Sequence, residues 1–289
     1  MTSTDALKGT EDSVVREALS MVRTSAWAAS RYQSFDLATV RGIVRAAGEA
    51  AYEASERLAR AAVDETGFGV VADKTFKNRA ASRDVLEQYG AEDYVSPVIS
   101  ADDKVVRIPV PAGVVFALTP STNPVSTAYF KVLIALLTRN AILVSPHPAA
   151  AGCTTEAVEL MRSAAQKAGA PEGLVQVLAH PSVPVIDEVM RDPRVAVTVA
   201  TGGSAMVRAA YSSGNPAIGV GPGNPPVIVD ETADLREAMR ITSEGKAFDH
   251  SVLCSSESVL ITVNASQHEL PRAMAESRMY LCSPDEVAR

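Results

Sequence analysis

From residue 113 onward the chain alternates short apolar runs with helical patterns, and that alternation limits its possible folds more than any other feature. The runs are GVVFAL (113–118), AILVS (141–145), LVQVL (174–178), VAVTVA (195–200), PAIGV (216–220) and PVIVD (226–230). Between the first five lie FKVLIALLTR, TTEAVELMRSAAQKAG, VIDEVMRD and SAMVRAAY, each with apolar residues three and four apart. Strands so rich in Val, Ile and Leu are covered on both faces, and helical crossovers join strands in parallel. The sequence therefore predicts an α/β protein, a Rossmann-like parallel sheet with flanking helices, whose ligands sit at the carboxyl ends of the strands.

Upstream, residues 12–89 carry apolar positions at helical spacing, as in Ile43, Ala46, Ala47 and Ala50, and predict a helical hairpin or small bundle punctuated by Gly67 and Gly69. The segment Tyr94 to Pro111 reads as a β-hairpin turning at ADDK (101–104). Downstream, TADLREAMRITSEG is a helix, and the strand-like run Ser258 to Val263 is expected in a second sheet. The expected organisation is a helical segment plus hairpin packing on the sheet over 1–110, a nucleotide-binding domain over 111–240, and the start of an incomplete second α/β domain over 241–289.

Charge narrows the partners. With 27 basic and 34 acidic residues the net charge is -7, a field that repels phosphate backbones and anionic membrane surfaces, so nucleic acid is not expected as a partner. The longest uncharged stretch, Ile108 to Phe130, is broken by Pro109, Pro111, Pro120 and Pro124, which argues against a membrane span. The opening MTSTDALKGTEDSVV has no basic region followed by an apolar core, so no secretory signal is expected. Cys153, Cys254 and Cys282 are odd in number and widely spaced, fitting neither a disulfide framework nor a metal pattern. The cytoplasm is the expected setting, with no metal.

Four constellations can carry chemistry. Cys254, in F-D-H-S-V-L-C-S-S-E, follows a helix and precedes a strand, so it is either a nucleophile in a polar turn or a small buried hydrophobe. Asn123, in L-T-P-S-T-N-P, stands at a strand's carboxyl end, where its amide can donate to an oxyanion or serve as ordinary turn chemistry. Ser145, Pro146 and His147 close the next strand, offering a hydroxyl and an imidazole to a ribose or phosphate, or only a stiff connector. Thr201, Gly202 and Gly203 form a strand-to-helix turn open to close backbone approach by a pyrophosphate. The G-x-G-x-G run at Gly219, Gly221 and Gly223 matches the dinucleotide fingerprint poorly, because no helix follows it.

Taken in order and at their spacings, PAGVVFALTPSTNPVST, TRNAILVSPHPAA, ATGGSAMVRAAYSSGNPAIGVGPGNPPVIVD and KAFDHSVLCSSES resemble the aldehyde dehydrogenase superfamily. Within it they are similar to the CoA-acylating branch that includes the aldehyde half of bifunctional aldehyde-alcohol dehydrogenases. The resemblance implies Cys254 as the nucleophile that attacks an aldehyde and holds the acyl group as a thioester, with hydride passing to NAD or NADP. It implies Asn123 as the oxyanion donor beside the Cys254 backbone N–H. It also implies cofactor contacts from Thr119, Pro120, Ser121, Thr122, Ser145, Pro146, His147, Thr201, Gly202, Gly203 and Gly221.

Hydrolytic members carry a Glu in E-L-G-G-K-N-P that activates water. Aligned on the shared Asn-Pro, this chain reads G-V-G-P-G-N-P, placing Gly219 at that position. Coenzyme A is then the implied acyl acceptor, with Glu257 as an alternative base for water. Family members continue well past the point where this sequence stops, so it reads as C-terminally truncated, lacking the strand with which relatives form homo-oligomers. The competing readings are a truncated, inactive member that at most binds a nucleotide, and an acyl-phosphate reductase on the same fold.

Overall fold

In a computed structural model, residues 3–100, 102, 104–263 and 268–288 are described. The helical start is α1 (Ser3–Tyr32), α2 (Leu37–Glu53), α3 (Ser55–Thr66) and α4 (Val71–Arg79), then a π-helical turn at Ala80–Asp84 and α5 (Val85–Tyr89). Asp36 starts α2 by accepting from the Thr39 amide at 2.8 Å, and Gly67, at φ 71°, ends α3 where a Cβ would be strained. The hairpin is β1 (Val98–Ser100) against β2 (Val105–Arg107), antiparallel with Ile99 opposite Val106. Of its expected turn, Ala101 and Asp103 lie outside the described residues.

The alternating region then runs β3 (Val114–Leu118), α6 (Pro124–Leu137), β4 (Ala141–Ser145), α7 (Ala151–Lys167), β5 (Val175–Val177), α8 (Val183–Arg191), β6 (Val195–Thr201), α9 (Ser204–Tyr211) and β7 (Ala217–Val220). These five strands form one parallel sheet in the order β5-β4-β3-β6-β7. Because β3 and β4 are buried at every residue, successive side chains serve opposite faces. Val115 and Ala117 pack with α2, α6 and α7, while Phe116 and Leu118 pack with α1 and α8. The strand order reverses between β3 and β6, and the ends of those two strands open the crevice where such sheets take ligands.

The sixth apolar run departs from expectation. It is β8 (Pro226–Val229), followed by α10 (Leu235–Ala247), β9 (Val259–Thr262), α11 (Leu270–Glu276) and α12 (Pro284–Val287), and it pairs in parallel with β9 rather than joining the large sheet. The five residues 221–225 between β7 and β8 explain this, since a parallel crossover needs about a dozen residues. The run expected at 258–263 does lie in a second sheet. By contacts the chain divides into one compact unit of residues up to 67 with 71–221, and another of 68–70 with 222–289. Among the described residues, no helix is long and apolar enough to cross a membrane.

Candidate functional site

Within the larger unit, the predicted cofactor residues gather at the carboxyl ends of β3, β4, β6 and β7. Thr119 is buried, and its backbone N–H donates to the Ser145 carbonyl at 3.1 Å, extending the ladder one residue past β3. Pro120, Ser121 and Thr122 form a half-buried turn above it. Ser145 is 1% exposed, and its Oγ has no hydrogen-bond partner among the described residues, an orphan that a ligand hydroxyl or phosphate would satisfy. Pro146 is buried beside it. His147 is exposed and caps a short 3-10 turn, its Nδ1 accepting from the Ala149 amide at 3.1 Å, which is the connector role the sequence left open.

The Thr201-Gly202-Gly203 turn closes β6, with the Gly202 amide donating to the Val220 carbonyl at 3.1 Å. Gly203 precedes α9 and no side chain caps that helix. No atom outside the local backbone lies within 4 Å of a Cβ built at Gly203 or Gly221, so both stand open to an approaching ligand.

Asn123 occupies the N-cap of α6 with Pro124 at the first helical position, yet its side chain makes no capping bond. Its Oδ1 instead accepts from the Lys77 ammonium, while Lys74 Nζ donates to the Thr122 carbonyl at 2.7 Å. Both lysines stand on α4 and are buried, at 8% and 3% exposure. Below the crevice Lys131 of α6 donates to the carbonyls of Leu118 (2.7 Å) and Val199 (2.8 Å), tying β3 to β6 at the switch point. Burial pushes its ammonium down to about 7.

Gly219 shows why a carboxylate is absent from its position. It lies on β7, its amide donates to the Tyr211 hydroxyl at 3.0 Å, and a Cβ there would stand 2.5 Å from Val207 Cγ1 and 2.9 Å from the Tyr211 ring. Two side chains of α9 fill the space a Glu would need.

The cysteine turn belongs to the smaller unit. After α10 the backbone turns left-handed at three successive residues, Asp249, His250 and Ser251, with φ of 47°, 53° and 63°. Each such residue costs about 1–2 kcal/mol, so the turn must be held by its surroundings. Asp249, fully buried, accepts from the Val70 amide at 2.7 Å, and Gly69, at φ 78°, comes so close that a Cβ would stand 2.0 Å from the carboxylate. Gly223 closes the other side, where a Cβ would lie 1.9 Å from the Cys254 carbonyl oxygen. Cys254 itself is exposed. Glu257 packs against Gly245 of α10, its Oε2 buried without a partner among the described residues.

The other cysteines differ. Cys153 is 2% exposed, and burial together with the nearby Glu65 carboxylate pushes its thiol up to about 12, leaving it unreactive. Cys282 is exposed.

Comparison with known proteins settles the family. A model of the aldehyde dehydrogenase family matches residues 4–279. The chain belongs to that family. Among curated aldehyde dehydrogenases it is 41% identical over 275 residues to the bifunctional aldehyde-alcohol dehydrogenase AdhE of Escherichia coli (strain K12), covering 94% of this chain and 31% of that protein. A probable aldehyde dehydrogenase from Listeria monocytogenes superposes with TM-score 0.91 at 35% identity, covering 95% of this chain and 61% of that one. An acetylating aldehyde dehydrogenase from Geobacillus thermoglucosidasius gives TM-score 0.89 at 38% identity, covering 94% and 61%. The chain thus spans about a third of the first relative and three fifths of the solved ones.

Two features of this chain have no signature in its sequence. Lys74 and Lys77, in VVADKTFKN, sit at ordinary helical spacing and carry no signal that separates them from surface lysines. The left-handed turn at 249–251 contains no glycine to announce it.

Proposed function

We propose that this chain supplies the nucleophile and the cofactor sheet of a CoA-acylating aldehyde dehydrogenase, oxidising a short-chain aldehyde with NAD(P)+ and CoA to an acyl-CoA. One observation carries the reading: position 219, where a water-activating Glu would stand, is a glycine roofed by Val207 and Tyr211, while Cys254 is an exposed thiol in a strained, tightly held turn. The propionaldehyde dehydrogenase of Rhodopseudomonas palustris, solved with bound CoA and an acylated cysteine, is 29% identical with TM-score 0.81 and lends the same chemistry.

The orphaned Ser145 hydroxyl, the open Gly203 and Gly221 and the uncapped start of α9 fit a dinucleotide at the β3/β6 crevice. The Thr119–Thr122 and Thr201–Gly203 turns would hold it. When bound, the nicotinamide accepts the hydride. Cys254 Sγ, as thiolate, adds to the aldehyde carbon to give a thiohemiacetal oxyanion, for which the family resemblance offers the Asn123 amide as donor. With the C–H pair passed on as hydride, the oxyanion lone pair would re-form the C=O bond and Cys254 would hold the acyl group as a thioester. CoA thiolate then attacks that carbonyl, forms acyl-CoA and returns the Cys254 thiolate. Three cysteines without disulfide partners suit the reducing cytoplasm as the site of this chemistry.

Incubation with propionaldehyde and NAD+ is expected to yield NADH only when CoA is added. Equal NADH production without CoA would overturn the acylating assignment.

A further inference from the structure

We infer that Lys77 is a positioning residue that locks the Asn123 side-chain amide with its NH2 group as donor. The inference deepens the proposed function and rests on Asn123 being the oxyanion donor.

An asparagine at a helix N-cap ordinarily turns its side-chain oxygen onto the first-turn amides, a bond worth about 1 kcal/mol. Asn123 stands at the N-cap of α6 and makes no such bond. Its Oδ1 goes to Lys77 Nζ instead. An ammonium offers three donors and no acceptor, so only the oxygen edge of the amide can face it. The NH2 group is thereby turned to the opposite edge, where it makes a long 3.4 Å contact to Thr122 Oγ1. An amide that could flip would present its oxygen to a developing oxyanion half the time, and like charges would repel. The lysine removes that alternative state.

The same contact strengthens the donor. A cation on the carbonyl oxygen draws density from the nitrogen and makes the N–H groups better hydrogen-bond donors, the cooperative effect expected of linked bonds at low dielectric. The site is dry enough for this to count, since Lys77 is 8% exposed. Lys74, one turn away and 3% exposed, fixes the backbone of the same corner through the Thr122 carbonyl. Desolvating two ammonium groups is costly, and helix α4 does so at two residues three positions apart on one face.

The test uses the full chain, labelled with 15N, and a kinetic cycle. The side-chain NH2 pair of Asn123 is assigned by its disappearance in Asn123→Asp. In Lys77→Met the pair is expected to shift and broaden; a pair left in place overturns the lock, whether or not the chain turns over. For acyl formation with propionaldehyde, NAD+ and CoA, Lys77→Met is expected to lower kcat about 10- to 100-fold with KM for aldehyde changed less than about twofold. In an Asn123→Ala background the same substitution should cost less than about threefold. A full loss in both backgrounds makes Lys77 merely structural and overturns the proposal. Unchanged kcat in Asn123→Ala alone would instead sink the oxyanion role of Asn123, while the NMR arm still judges the lock. Should Lys77→Met fail to fold, Lys77→Gln, which donates without charge, carries the same cycle, with an intermediate loss expected.

Discussion

The two units are stabilised by different means. In the larger one, every residue of β3 and β4 is buried and two apolar clusters cover the two faces of the sheet. In the smaller one, the buried core is Val229, Met239 and Ala273, and the face of β8 and β9 that carries Ile228 and Ile261 is 74% and 47% exposed at those residues. The large sheet is thus held by side-chain packing. The cysteine turn, strained at three left-handed residues, is held by a buried Asp249 that accepts an amide and by two glycines that let the chain close in. A rigid surface suits the proposed binding of a long cofactor, whereas the proposed nucleophile needs one turn set accurately, which hydrogen bonds and close backbone contact do with little core.

Substitutions can break or sharpen that contrast. The largest effect is expected from Phe116→Ala, which opens a void at a fully buried position of the sheet and should lower unfolding stability by about 3–5 kcal/mol in a denaturant titration. Gly69→Ala should cost less, about 1–3 kcal/mol, yet act where core mutations do not: it forces a Cβ onto the Asp249 carboxylate at a strained φ, and is expected to change the alkylation rate of Cys254 by iodoacetamide. An unchanged alkylation rate would mean that Asp249 does not set the turn.

Lys131 gives a pH signature confined to the larger unit. Its folded-state value, near 7, lies below the ordinary lysine value of 10.5, so between those limits the unfolded chain holds a proton that the folded chain has lost. Stability from this group therefore rises with pH across that window, by at most about 1.4 kcal/mol per unit, and Lys131→Met should flatten the rise. Ile228→Ser, on the exposed sheet face, is expected to shift stability by no more than about 0.5 kcal/mol; a large loss would show that this face is covered.

Much of the larger unit was legible because period and composition encode it. The runs at 113–118, 141–145, 174–178 and 216–220 each contain the strand found there, and the run at 195–200 holds all of β6 but Thr201; β3 and β4, buried at every residue, are apolar except for Ser145. The run at 226–230 has the same composition and by sequence belongs with them; the short link before it, not its residues, decides its sheet. Cys254 and Asn123 are singled out by their motifs, and their roles are proposals that rest on the family resemblance. The Lys77 contact to Asn123 joins residues 46 positions apart, and no local pattern announces a buried ammonium on a helix of ordinary amphipathic texture. Asp249, His250 and Ser251 hide for another reason: their backbone is imposed by the surroundings rather than by their own preference.

The central claim is that Cys254 exchanges an acyl group with the thiol of CoA. It is tested most directly by mixing the chain with propionyl-CoA, without aldehyde or dinucleotide, and mapping the product by peptide mass spectrometry. The expected result is one propionyl group on the peptide carrying Cys254, released again by excess CoA and absent from Cys254→Ala. A propionyl group on Cys282 alone, or none on any cysteine, would contradict it.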